Sequence, residues 1–177
     1  MDSATNHPQL PRHLVVMGVA GCGKSSLAQA LARRLGWRLI EGDDYHAPDS
    51  VRKMREGIAL TDADREGWLD HLGRLLAAEA QGVALTCSAL RRPYRDRLRA
   101  AVPGLRFAFM AIAPEAALAR VAARPGHIFP PSLVASQFQT LEDPSAEPGV
   151  LRLDALLPLD TLTDQVAGWM AGEPVKA

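Results

Sequence analysis

An excess of charge of either sign is missing from this chain. Its 20 Lys and Arg are matched by 20 Asp and Glu, so the formal net charge is zero. A balanced chain has no global field to draw in nucleic acid or an anionic membrane surface, which leaves anion binding to local clusters. Cysteine is scarce as well, with only Cys22 and Cys87. Cys22 sits inside a glycine-rich turn, a poor place for a crosslink. A disulfide framework is therefore not expected, and a reducing compartment, the cytoplasm, is. No apolar run approaches the ~20 residues that cross a bilayer. The opening stretch, MDSATNHPQLPRH, is polar, carries Pro8 and Pro11 and lacks the apolar core of a secretory signal. Residues 1–12 read as a frayed tail, and the composition suits one domain over 13–173. Internal repeats and low-complexity tracts are also lacking.

What is there alternates between two periodicities. HLVVMG (13–18) is a short apolar run ending at glycine, as a buried strand would be. Leu27, Ala28, Leu31, Ala32 and Leu35 then recur at helical spacing, and Gly36 marks the stop. WRLIEG (37–42), VALTCS (83–88), LRFAFMAI (105–112) and VLRLDA (150–155) read as four more strands. Helices are expected from Pro48, from Thr61, whose spacing to Asp64 is that of a capping box, over RRPYRDRLRAAV, over 114–123, over 132–141 and over 159–170. Strands alternating with helices imply an α/β fold: a five-stranded parallel sheet flanked by helices on both faces.

Between the first strand and the first helix lies Gly18-Val19-Ala20-Gly21-Cys22-Gly23-Lys24-Ser25. This is G-x-x-x-x-G-K-S in the strand-then-helix context that a phosphate-binding loop requires. Glycines let the backbone curl so that N–H groups converge on phosphate oxygens, and the positive end of the following helix adds to the attraction. Lys24 reaches the β- and γ-phosphates, and the Ser25 hydroxyl is the expected Mg²⁺ ligand. Gly18 to Ser25, with Ser26, are thus the candidate residues for binding ATP. Cys22 occupies a variable loop position and carries no redox role.

The loop alone does not separate a GTPase, a motor and a small-molecule kinase. Ligands of open α/β sheets lie beyond the carboxyl ends of the strands. The second strand ends in EGDDYH, which sets Asp43 and Asp44 beside the loop, where a carboxylate can orient a hydroxyl and take its proton. Arg52, Lys53, Arg55, Arg65, Arg91 and Arg92 fall toward the same edge. Such a cluster on a neutral protein fits a second anionic ligand, such as a carboxylate-bearing metabolite. The segment is short of the aromatic and apolar residues of a nucleobase pocket. The third strand ends in Cys87 and Ser88 rather than in the Asp that many ATPases and GTPases use for Mg²⁺, and no Asn-Lys-x-Asp guanine reader is present. Arg120 and Arg124 lead into RPGHIFPP, a Pro/Gly break with the composition of a lid over 120–140.

The stretches MGVAGCGKSS, EGDDYHAPDSVRKMREGIALTDADREGWL, CSALRRPYRDRLR and RPGHIFPPSLVASQFQTLEDP resemble, in order and spacing, those of the gluconokinases. These are P-loop small-molecule kinases related in fold to shikimate and adenylate kinases. The resemblance implies transfer of the ATP γ-phosphoryl group to the 6-hydroxyl of D-gluconate with Mg²⁺, by a cytoplasmic homodimer. It implies Lys24, Asp43 and Arg124 as catalytic residues, with Arg120 and Arg124 against the nucleotide. Asp43, His46, Lys53, Arg65, Arg91, His127 and Gln137 would face the sugar acid. Thr61, Gly67 in REGW where the family has Pro before Trp, Pro125 and Ile128 depart from the family pattern. A kinase for another small anion such as shikimate, and a non-catalytic ATP-dependent regulator, are the competing readings; turnover against a substrate panel separates them.

Overall fold

The structure is a computed structural model that describes residues 11–125 and 130–175. Five strands form one sheet: β1 (His13–Met17), β2 (Arg38–Glu41), β3 (Val83–Thr86), β4 (Arg106–Ala111) and β5 (Val150–Asp154). They run in the order β2-β3-β1-β4-β5, and every pairing is parallel. β2 and β3 lie on one side of β1 and β4 and β5 on the other, so the crevice at the carboxyl end of β1 is the place for a ligand.

Among the described residues seven helices connect and cover the strands: α1 (Lys24–Leu35), α2 (Pro48–Arg55), α3 (Asp62–Ala78), α4 (Arg92–Ala101), α5 (Pro114–Ala122), α6 (Val134–Thr140) and α7 (Leu159–Met170). The central strand shows why two layers of helix are needed. Leu14 and Val16 point to one face, among α1, α5 and α7; Val15 and Met17 point to the other, among α3 and α4. All four are fully buried, so β1 reads as a continuous apolar run, as expected for a strand covered on both sides. None of the described helices is long and apolar enough to cross a membrane.

Local signals set most boundaries. Gly36 closes α1 in the left-handed conformation, and Thr61 opens α3 with a complete capping box to Asp64. Two expectations need adjusting. The third strand stops at Thr86; Cys87 and Ser88 line the crevice beyond it, still tied to β1 and the glycine loop by Cys87 N–H to the Val16 carbonyl at 3.2 Å and Gly18 N–H to the Ser88 carbonyl at 3.3 Å. The helix expected over 132–141 starts at Val134, after a 3-10 turn at Pro131–Leu133.

Candidate active site

The glycine loop joins β1 to α1 and is braced from outside. Gly21 has φ of +81°, and a Cβ there would lie 2.7 Å from the Ala117 carbonyl oxygen of α5. Only glycine lets α5 pack so closely on the loop. From α5 the Arg120 guanidinium donates to the carbonyls of Gly21 and Cys22, each at 3.3 Å, and to that of Ala155 at 3.3 Å. From α6 the Gln137 side-chain oxygen accepts from the Ala20 amide at 2.6 Å. Lys24 Nζ lies across the loop, donating to the Gly18 and Val19 carbonyls at 3.0 Å each. Cys22 and Val19 are buried in the core behind the loop, and Ser26 is exposed on the first turn of α1.

Beyond the end of β2 the chain enters a 3-10 turn, Gly42–Tyr45, which carries Asp43 and Asp44. A Cβ on Gly42 would meet the Thr86 carbonyl oxygen at 2.2 Å, so this close approach of turn to β3 also demands glycine. Trp68 of α3 fixes the turn by donating its indole N–H to the Gly42 carbonyl at 2.8 Å. The His46 ring stacks on that indole at 4.0 Å between centroids, with Nε2 3.4 Å from Asp43 Oδ1. His46 Nδ1 is buried without a hydrogen-bond partner among the described residues.

Loop and turn face one cleft. Gly21, Gly23, Lys24 and Ser25 line one side; Asp43, His46, Arg65 and Trp68 line the other, with Arg124 and Gln137 also on its walls. The loop and the acid at position 43 therefore share a single space. Met54, Leu60, Trp68 and Leu133 give the acceptor side an apolar wall as well, which corrects the impression of an almost wholly polar segment. These residues are scattered over α2, its connection to α3, α3 itself and the turn before α6, and the fold gathers them.

Not every expected cation reaches the cleft. Lys53 lies outside its lining and donates to both oxygens of Asp64 at 2.9 and 3.0 Å. Arg91 also lies outside, bound to Asp62 at 3.0 Å and Glu142 at 3.2 Å. Arg65 does line it, and is steadied by donating to the Leu60 carbonyl at 2.7 Å and the Tyr94 hydroxyl at 3.2 Å. Tyr94 in turn donates to Asp62. His127 lies outside the described residues.

One residue went unremarked in the sequence. Glu41, the last residue of β2, accepts from Ser25 Oγ at 3.0 Å and from Thr86 Oγ1 at 2.7 Å on the same carboxylate oxygen. Its place at a strand end, two positions before Asp43, was the available signal. The donor set beside Lys24 is thus all oxygen: two hydroxyls and a carboxylate, the hard ligands that suit Mg²⁺. Among the described residues no cluster of three or more His, Cys, Asp and Glu side chains could hold a metal alone. That fits an ion bound through one carboxylate and substrate phosphates. Cys87 lines the cleft too, but burial pushes its thiol up to about 12, so it is no nucleophile near neutral pH.

Comparison with known proteins agrees with this geometry. The family described as AAA domain matches residues 14–141. The gluconokinase of Gluconobacter oxydans is 45% identical over 147 residues, covering 81% of this chain and 82% of that protein. Among solved structures, a gluconokinase from Sinorhizobium meliloti 1021 superposes with a TM-score of 0.84 at 42% identity, covering 93% of this chain and 94% of that one. An unliganded sugar kinase from Janibacter sp. HTCC2649 gives 0.86 at 37% identity, covering 90% and 94%. With a phosphate loop and a carboxylate on opposite walls of one cleft, and relatives of this closeness along most of its length, the chain belongs to the gluconokinase family of P-loop kinases.

Proposed function

We propose that this protein transfers the γ-phosphoryl group of ATP to the 6-hydroxyl of D-gluconate, giving 6-phospho-D-gluconate and ADP. One observation carries the reading: Asp43 lines the same cleft as Lys24 and Ser25. Within the Gly18 to Ser25 loop, the amides of Gly21, Gly23, Lys24 and Ser25 cradle the phosphates, and Lys24 turns from the loop carbonyls to neutralise charge on the transferring group. Ser25, with Glu41 behind it, would hold Mg²⁺, which when bound neutralises charge on the β- and γ-phosphate oxygens. Asp43 orients the acceptor hydroxyl and takes its proton as the new O–P bond forms and ADP leaves.

Residues opposite the loop recognise the acceptor. Arg65 meets the carboxylate of the sugar acid, a charge-assisted contact. His46 offers its buried, unpaired Nδ1 to a hydroxyl; a polyol supplies such a partner and an apolar ligand does not. The single domain over 13–173 has its lid in the 120–140 stretch, of which 126–129 lie outside the described residues. In it Arg124 closes on the phosphoryl group, and Arg120 braces the loop through its three carbonyl contacts. The protein acts as a cytoplasmic homodimer that meets neither nucleic acid nor membrane.

Coupled ADP release across D-gluconate, shikimate, nucleoside monophosphates and an acceptor-free control tests this. Turnover on D-gluconate alone is expected, with the product identified as the 6-phosphate by phosphorus NMR. Equal rates on shikimate or a nucleotide, or no turnover with any acceptor, would overturn the assignment. Light scattering checks the dimer.

A further inference from the structure

The motif CSALRRPYRDRLR contributes a charge to the interior that the mechanism above does not use. Arg95, on α4, is fully buried. Glu147 neutralises it, accepting from Arg95 Nε at 3.1 Å. Nη2 also donates to Glu147, at 2.5 Å, and to the Glu142 carbonyl at 3.1 Å, while Nη1 donates to the Ala89 carbonyl at 2.7 Å. Arg99 adds a second cation to Glu147 at 2.7 Å. Burial alone would raise the Glu147 carboxyl, but these hydrogen bonds outweigh it and hold it below its ordinary value.

Ala89 is unusual in its own right. Among the described residues it is the one non-glycine with positive φ, at 45°, and it is buried. An L-residue holds such backbone only where its surroundings enforce it. Its neighbours are tied on both sides. The Ser88 carbonyl accepts from the Gly18 amide of the phosphate loop at 3.3 Å, and the Leu90 carbonyl from the Glu142 amide at 2.8 Å. Ser88 and Cys87 line the cleft, and Arg91 precedes α4. The carbonyl of the strained residue is the one that Arg95 holds.

A buried ion pair adds little net stability compared with apolar side chains of the same volume. Its effect here is directional. We propose that Arg95, neutralised by Glu147, is a positioning residue for phosphoryl transfer. It clamps Ala89 in the left-handed conformation, so that the 87–91 stretch presents Ser88 to the cleft and stays in register with the phosphate loop. The kinetic part of this proposal rests on the D-gluconate reading.

The test replaces the whole pair, Arg95→Met with Glu147→Leu, so that no buried charge is left unpaired. A pair that serves only as a staple predicts a variant of unaltered activity once thermal unfolding shows it folded. The positioning role predicts a fall in kcat/KM for D-gluconate on the order of 10- to 100-fold, the scale of a misplacement near 1 Å. Adding Ala89→Gly should then recover several-fold of the loss, because glycine adopts the left-handed backbone without a clamp. A folded double variant of normal kcat/KM, or a triple variant with no recovery, overturns the proposal. Amide hydrogen exchange supplies a readout that needs no turnover. Ser88, Ala89 and Leu90 should exchange about 10-fold faster in the double variant, with α1 unchanged; unchanged exchange at these three also overturns it. Should the wild-type protein leave D-gluconate untouched, the functional assignment falls, and the exchange result decides the clamp by itself. If even the double variant fails to fold, Arg95→Lys carries the same kinetic and exchange measurements, because lysine keeps a cation against Glu147 but lacks the fork that also reaches the Ala89 carbonyl.

Discussion

The two walls of the cleft are built by different means. The wall around Lys24 is mostly backbone: a curled loop whose shape follows from glycines within eight residues, braced by Arg120 and Gln137 from outside. The opposite wall is side chains, and two of the cations expected in it are held outside the cleft by carboxylates from other parts of the chain. Lys53 is claimed by Asp64, 11 residues on, and Arg91 by Asp62 and Glu142, which lie 29 and 51 residues away. A local backbone motif names its ligand. A cluster of cations does not, because the fold decides which of them remain available.

Removing a group from the loop wall should have the largest effect. Lys24→Ala is expected to lower kcat by ~10³–10⁵, the range for a cation that neutralises transition-state charge in phosphoryl transfer. On the facing wall, Asp43→Asn should lower kcat by ~10²–10⁴ through loss of the general base, with the Kd for ATP unchanged by isothermal titration. A collapse of ATP affinity in Asp43→Asn would break the division between the walls.

The next contrast lies inside the acceptor wall. Arg65 lines the cleft and Lys53 does not. Arg65→Met should raise the KM for D-gluconate by ~10- to 100-fold, as loss of a charge-assisted hydrogen bond of about 1.5–3 kcal/mol implies. Lys53→Met should change it by less than about 5-fold, the scale of a part-exposed ion pair. Steady-state kinetics on the two variants decides, and equal effects would mean that Lys53 leaves Asp64 to meet the substrate.

What could be read in advance follows the same division. The bounds of α7, the capping box at Thr61 and the strand-loop-helix around Gly18 to Ser25 all rest on contacts within a few residues, and the structure has them as expected. The early end of β3 belongs instead to the crevice that Cys87 and Ser88 line. Glu41 looked like one more strand residue because its partners, Ser25 and Thr86, are 16 and 45 positions away. Trp68 was legible as an apolar face of α3; that its other edge forms the floor under His46 was not, since stacking across 22 residues leaves no periodic trace.

The smallest effect is a pH dependence, and it tests the sharing of cations directly. Hydrogen bonds from Lys53, then from the Thr61 amide, hold the Asp64 carboxyl at about 2, against an ordinary value of 3.8. The folded value is the lower one, so the ionised form favours the folded state. Its contribution is complete above the unfolded value and is lost as pH falls from about 3.8 toward about 2. Asp64→Asn keeps an acceptor for the Thr61 amide but gives up the ion pair. The variant should therefore unfold at lower urea than wild type near pH 6, and the gap should narrow steadily below pH 4 and close only below about pH 2. Salt should shrink the gap, because the pair is partly exposed. Saturating D-gluconate provides the sharper comparison. With Lys53 committed to Asp64, the carboxyl should titrate by carbon NMR at the same low value whether or not the sugar acid is bound. A rise on binding would mean that the lysine swings toward the acceptor, and that the ion pair seen here is the resting position of a residue that belongs to the cleft.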